Sequence, residues 1–196
     1  AYVRTEPGRL QPDIKLQLHH LSSPDERNPT RVVLDGFPGF SIGMVHQQPN
    51  SIGSVHLRSG DPFAAPMIRP NYLAHPGDMA AFIRGMRVAR KVGAAPALAR
   101  LVVREVRPGP DVQSDDAIAD YLRSTIFSSY HPVGTCKMGP AGDPRAVVDP
   151  ELRVHGVPGL RVADASILPT IPASNTNAAA ILAGEKASDL LLAAAR

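Results

Sequence analysis

Residues 130–139 read Tyr130-His131-Pro132-Val133-Gly134-Thr135-Cys136-Lys137-Met138-Gly139, and two short stretches follow, Asp164-Ala165-Ser166 and Asn175-Thr176-Asn177. Pro132 fixes its own φ and biases His131 towards an extended backbone. Gly134 and Gly139 allow the chain to turn or to approach a neighbour closely. Histidine exchanges a proton near neutral pH, so a rigidly presented imidazole suits general acid–base work. On these residues alone, a structural histidine with satisfied hydrogen bonds is the alternative.

The wider pattern gives the histidine a context. HPVGTCKMG at 131–139, GLRVADASILPTIPASNTN at 159–177 and GEKASDLL at 184–191 resemble the C-terminal signature of the glucose-methanol-choline (GMC) flavoprotein oxidoreductases. There the pattern runs HPxGTCxMG, then GLRVxDASxxPxxxxxNTN, then a helix of small residues. Upstream, residues 49–62 resemble the family's PxSxGxVxLxSxDP strand pair, and Pro66-Met67-Ile68-Arg69-Pro70-Asn71-Tyr72-Leu73 resembles its PxIxxNYL segment. Ile52 departs from the pattern, standing where many members carry arginine.

The resemblance implies an α+β fold. An antiparallel sheet flanked by helices forms a substrate-binding domain over 1–154, carrying the histidine loop. The segment 155–196 returns, as a strand and a helix, to an FAD-binding α/β domain. Family members hold the FAD pyrophosphate at a G-x-G-x-x-G turn opening a helix, and these 196 residues contain no such fingerprint. Gly36-Phe37-Pro38-Gly39 has the wrong spacing and contains a proline. The chain starts at Ala1, and it reads as a fragment, a cleaved product or one chain of a split enzyme. A second polypeptide carrying the N-terminal FAD-binding region is the expected partner, with an exposed apolar surface where it would pack.

The resemblance also implies chemistry. His131 corresponds to the family's catalytic histidine and would take the hydroxyl proton of a small alcohol. Asn175 corresponds to the neighbouring hydrogen-bond partner and would hold the substrate oxygen, although it could equally be only a helix cap. FAD would be the cofactor, contacted by Asp164, Ala165, Asn175, Thr176 and Asn177. Ala165 would act through its N–H, and the start of the last helix would favour negative charge on the flavin. Two other readings stay open: a non-redox member resembling hydroxynitrile lyases, and a non-catalytic fragment or subunit. The alcohol, and the choice between oxygen and another electron acceptor, are not legible.

Composition narrows the rest. A hydrophobic content of 43% over 196 residues suits a globular chain with a real core. The net charge of +3 is mild, and the arginines at 84, 87, 90, 100, 104 and 107 form no dense basic run, so no nucleic-acid partner is expected. No run of about 18 apolar residues signals a membrane span. No signal peptide is visible, and a cytoplasmic location is favoured with the N-terminal region absent. Cys136 is the single cysteine, which excludes an internal disulfide. A Cys136–His131 nucleophilic pair is the minor alternative. The seven histidines show no metal-ligand spacing, and no metal site is expected.

Elements follow from periodicity. Ile14–His19 alternates as a half-buried strand. Residues 22–38 read as a loop, with Asp25-Glu26-Arg27 a solvated surface. Phe40–Gln47 and Ser54–Arg58 read as strands joined at Pro49-Asn50. Phe37, Phe40 and Met44 suit either core or pocket. Pro76–Ala94 reads as a helix with Met79, Phe82, Ile83 and Met86 on one face, and with Arg84, Arg87 and Lys91 off it and exposed. Residues 104–111 form a connector, and Ser114 caps a helix carrying Ile118, Tyr121 and Leu122. Leu160–Ala163 reads as a short strand, and Asn175 or Asn177 caps the last helix.

Overall fold

A computed structural model describes residues 1–24 and 33–195, so Asp25-Glu26-Arg27 lies outside the described residues. The chain divides into two units. The first contains Ala1–Ser51 and Tyr72–Ser129, and the second contains Ile52–Asn71 and Tyr130–Arg196. The described residues of 22–38 form neither helix nor strand.

In the first unit, alternation puts Ile14 and Leu16 of β2 (Ile14–His19) on the buried side. β2 pairs antiparallel with β1 (Tyr2–Val3) and with β3 (Ser41–His46), in a register that sets Ile14 opposite His46 and Leu18 opposite Ile42. Helix α1 (Pro76–Gly93) starts where His75 Nδ1 accepts from the Gly77 N–H at 3.1 Å, with Pro76 in the first turn. Its apolar stripe covers Ile14, Leu16, Ile42 and Met44 with Phe82 and Ala89, which assigns Met44 to the core. Gly85 makes the approach possible, because a Cβ there would stand 3.2 Å from Ile14 Cγ1 and 3.3 Å from Met44 Sδ. Phe37, by contrast, is exposed.

Met86 of the same helix packs on Ile118 and Leu122 of α3 (Asp115–Thr125). Ser114 caps α3 as expected, its Oγ accepting from the Ala117 N–H at 3.2 Å. Fully burying Ile14 and Ile118 contributes about 1.5–3 kcal/mol each. A short helix, α2 (Pro96–Ala99), follows α1 and was not marked by periodicity. Residues 104–111 are a connector without regular structure. Arg87 and Lys91 are exposed, but Arg84 is half-buried: it donates from Nε to Thr5 Oγ1 and pairs with Glu6.

Asp78, in the first turn of α1, does more than meet the helix dipole. Its carboxylate is buried and accepts from the Asn50 N–H, the Ser51 N–H and the Ser51 hydroxyl, at 2.8, 2.8 and 2.5 Å. Burial pushes its pKa up, yet these bonds and the nearby His46 outweigh it and hold the carboxyl below its ordinary value.

The second unit holds a two-stranded antiparallel ribbon, β4 (Ser54–His56) with β5 (Met67–Arg69). β3 and β4 were expected to be neighbours across Pro49-Asn50; they belong to different sheets. Gly53 explains the close backbone packing at the ribbon's end, because a Cβ there would meet Arg69 O at 2.3 Å. The core comprises Val148, Leu152, Ile167, Ala183 and Ala187. Ala183 and Ala187 face it from the last helix, α4 (Asn177–Ala194). The expected strand at 160–163 shrinks to a single antiparallel bridge, Arg161 with Arg153. The left-handed glycines Gly156 and Gly159 turn the chain between these residues and leave no length for a ladder.

Candidate active site

His131 belongs to a loop that the second unit fastens from several sides. The Cys136 N–H donates to Ser166 O at 3.0 Å, and the Met138 N–H donates to Ile167 O at 2.8 Å. The Gly139 N–H donates to Val148 O at 2.9 Å, and the Val147 N–H donates to Lys137 O at 2.8 Å. His155 Nε2 lies 3.0 Å from Gly139 O. Lys137 pairs with Asp143 at 2.5 Å, and the lysine holds that carboxyl below its usual range. Tyr130, just before the histidine, sits at φ 60°, a left-handed conformation uncommon for a bulky residue. Gly134, just after it, sits at φ 85°.

The imidazole is half-buried and both of its nitrogens are engaged. Asn175 Nδ2 stands 2.9 Å from Nε2, and Thr176 Oγ1 stands 2.9 Å from Nδ1. Asn175 is exposed, while Thr176 is 8% exposed. Both partners immediately precede α4, and Thr176, not Asn175 or Asn177, is the N-cap. Its side chain makes no capping bond, and its hydroxyl is turned to His131. Asn177 and Ala178, in the first turn of α4, are exposed.

Asp164 and Ala165 lie in the turn that anchors the histidine loop. Asp164 caps a 3-10 turn, Ala165–Ile167, accepting from the Ser166 N–H at 2.7 Å. Ser166, through its hydroxyl and then its N–H, holds the carboxyl below its ordinary value. The two residues thus reach the site through the Ser166 and Ile167 carbonyls that receive the Cys136 and Met138 N–H groups. Cys136 is half-buried and is not addressed by the imidazole, whose nitrogens face Asn175 and Thr176. The nucleophilic-pair alternative therefore finds no support. Sequence reasoning named Thr176 as a backbone or side-chain cofactor contact and missed its bond to His131. The available signal was only a hydroxyl-bearing residue beside Asn175.

The arrangement comprises an imidazole, a carboxamide at one of its nitrogens, a hydroxyl at the other, and an open helix start beside them. It can accept a proton and hold an oxygen next to the acceptor. A family model described as GMC oxidoreductase matches residues 49–184. Oxygen-dependent choline dehydrogenase of Rhizobium rhizogenes is 45% identical over 98% of this chain, and that of Sinorhizobium fredii 44% over the same share. In both cases the match spans 34% of the relative, so the chain has about a third of the length of these proteins. Among solved structures, pyridoxine 4-oxidase from Mesorbium loti superposes with a TM-score of 0.85 at 30% identity, covering 96% of this chain and 36% of that one. Formate oxidase of Aspergillus oryzae superposes at 0.80 with 29% identity, covering 93% and 32%.

Proposed function

This chain belongs to the GMC oxidoreductase family, and from that premise we propose that it supplies the proton-handling site of an FAD-dependent enzyme that oxidises an alcohol. His131 acts as the general base and Asn175 as the hydrogen-bond donor to the substrate oxygen. The observation that carries this reading is the imidazole held between Asn175 and Thr176, half-buried, at the start of α4.

The residues present suit a flavin. The first turn of α4 is exposed next to His131, so the Asn177 and neighbouring N–H groups can meet negative charge. Asn175, Thr176 and Asn177, with the turn at Asp164 and Ala165, would hold the group. When bound, FAD supplies the two-electron acceptor for the hydride leaving the alcohol carbon. His131 takes the hydroxyl proton at Nε2, where the alcohol displaces the Asn175 amide. The Asn175 amide stabilises the oxygen as negative charge develops on it. The first alcohol to assay is choline, because the relatives at 44–45% identity are named for it.

The remainder of such a flavoprotein is the proposed partner of the second unit. The exposure of Ile181, Leu182, Leu191 and Leu192 on α4, each more than half exposed, supports an apolar covering surface there. Residues 1–154 remain the proposed substrate side and 155–196 the proposed flavin side.

The test is anaerobic addition of choline and other primary alcohols to the full-length flavoprotein, read as bleaching of the flavin spectrum. His131→Ala is expected to lower turnover by about 10²- to 10⁴-fold with flavin content unchanged. Undiminished turnover in that variant would remove His131 from the role of base. A yellow protein that no alcohol bleaches would point to a non-redox member of the family.

A further inference from the structure

We propose that Thr176 is a positioning residue, its hydroxyl selecting the tautomer and orientation of the His131 ring; the proposal rests on the reading of His131 as the base. A neutral imidazole carries one proton on one of two nitrogens, and the partner at each nitrogen decides which. The Asn175 amide nitrogen, 2.9 Å from Nε2, carries only hydrogens to offer, so Nε2 meets it as an acceptor. The ring proton is then on Nδ1, where Thr176 Oγ1 stands at 2.9 Å and accepts it. The lone pair of Nε2 accepts from the Asn175 amide until an alcohol hydroxyl takes that donor's place, the amide then turning to the substrate oxygen. After proton transfer the ring bears both protons, and Thr176 still accepts the one on Nδ1.

Three observations single out this threonine. It is 8% exposed, so its hydroxyl has little access to water. It directly precedes α4 with helical backbone angles, φ −80° and ψ −11°, and its side chain makes no capping bond. The hydroxyl is directed to the imidazole. Being next to Asn175 in sequence, Thr176 also ties both partners of the ring to one helix start.

The experiment uses the full-length flavoprotein with ¹⁵N-labelled histidine, His131→Gln serving to assign the His131 signals. At a pH where imidazole is neutral, the wild-type ring is expected to show a protonated Nδ1 and a bare Nε2. A ring protonated at Nε2 overturns the proposal without any variant at Thr176. Thr176→Val is expected to lose this tautomer preference and to lower kcat about 10- to 100-fold with KM little changed, the mark of a mis-aimed group rather than lost binding. Thr176→Ser, which keeps the hydroxyl, is expected to restore both the tautomer and turnover to within about threefold of wild type. If Thr176→Val folds and binds flavin but keeps wild-type turnover and tautomer, the positioning role is wrong. If His131→Gln itself turns over normally, it is the reading of the base that fails.

Discussion

His46 ends β3 with its side chain 6% exposed, and its Nδ1 has no hydrogen-bond partner among the described residues. His131 is half-buried, with both nitrogens at 2.9 Å from polar partners. His46 stands edge-on to the Phe82 ring at 5.7 Å between centroids and lies 3.8 Å from the Asp78 carboxylate, beyond hydrogen-bond range. Burial holds His46 below the usual imidazole pKa, against the carboxylates of Asp78 and Asp13 and with the help of Arg9 and Arg84. The contrast separates two uses of one side chain. An imidazole packed as an aromatic ring has its pKa lowered by burial. An imidazole held at both nitrogens near the surface is kept oriented, and orientation is what proton transfer demands.

The sharpest way to break this contrast is to exchange the consequences. His131→Ala should cost the 10²- to 10⁴-fold in turnover already stated while leaving the folded core of its unit intact. Circular dichroism and flavin content would check the second half. A His131→Ala protein that fails to fold would make the site histidine as structural as His46.

The next largest effect is expected at the carboxylate beside His46. Asp78→Ala removes the acceptor of two backbone N–H groups, one hydroxyl and one side-chain amide, from Asn50 and Ser51. Leaving these part-buried donors to find other partners should cost about 1–2 kcal/mol. Denaturant unfolding measures the loss, and hydrogen exchange at Asn50 and Ser51 locates it. A change below about 0.5 kcal/mol would put this carboxylate among ordinary surface groups.

Gly134→Ala tests how far the loop's backbone, and not its partners, holds His131. At φ 85° an L side chain is strained, and the added Cβ would stand 3.4 Å from Leu168 O. The cost is expected to be about 1 kcal/mol of stability, accompanied by a fall in turnover if the loop shifts. Unchanged stability would show that the turn tolerates a side chain.

Legibility in the sequence divided along the same line. Ile14–His19, α1 and the Ser114 cap were readable because each is dictated by neighbours in sequence: alternation, the 3.6-residue stripe, a hydroxyl three residues before an N–H. His131, Asn175 and the NTN stretch were readable through family likeness, and the structure joins His131 to Asn175 across 44 residues of chain. What local pattern could not carry was pairing and competition. β4 takes β5 rather than β3 as its partner, because Gly53 lets the backbone pack on Arg69 and Pro70. Residues 160–163 lose their ladder to the turn between Gly156 and Gly159. The Thr176 hydroxyl had two possible bonds, a helix cap or a distant imidazole, and only tertiary structure decides between them.

The smallest expected effect concerns His46 and acid. Its folded pKa lies below the ordinary imidazole value of about 6.5, with burial as the first cause. A depressed pKa means that the unfolded chain binds the proton more readily than the folded one. The contribution to stability is therefore fully present above about pH 6.5 and declines as the pH falls towards the folded pKa. Asp78 and Asp13 face the ring and soften the loss by attracting the imidazolium, while Arg9 and Arg84 reinforce it. The carboxyls of Asp78 and Asp13 are themselves held below their ordinary value, so their own losses begin only in stronger acid. Unfolding free energy measured between pH 7 and 5 should thus slope downward in wild type and flatten in His46→Leu, which has no proton to take up. Parallel slopes in the two proteins would mean that the folded ring takes up its proton as readily as the unfolded one and that burial does not lower its pKa.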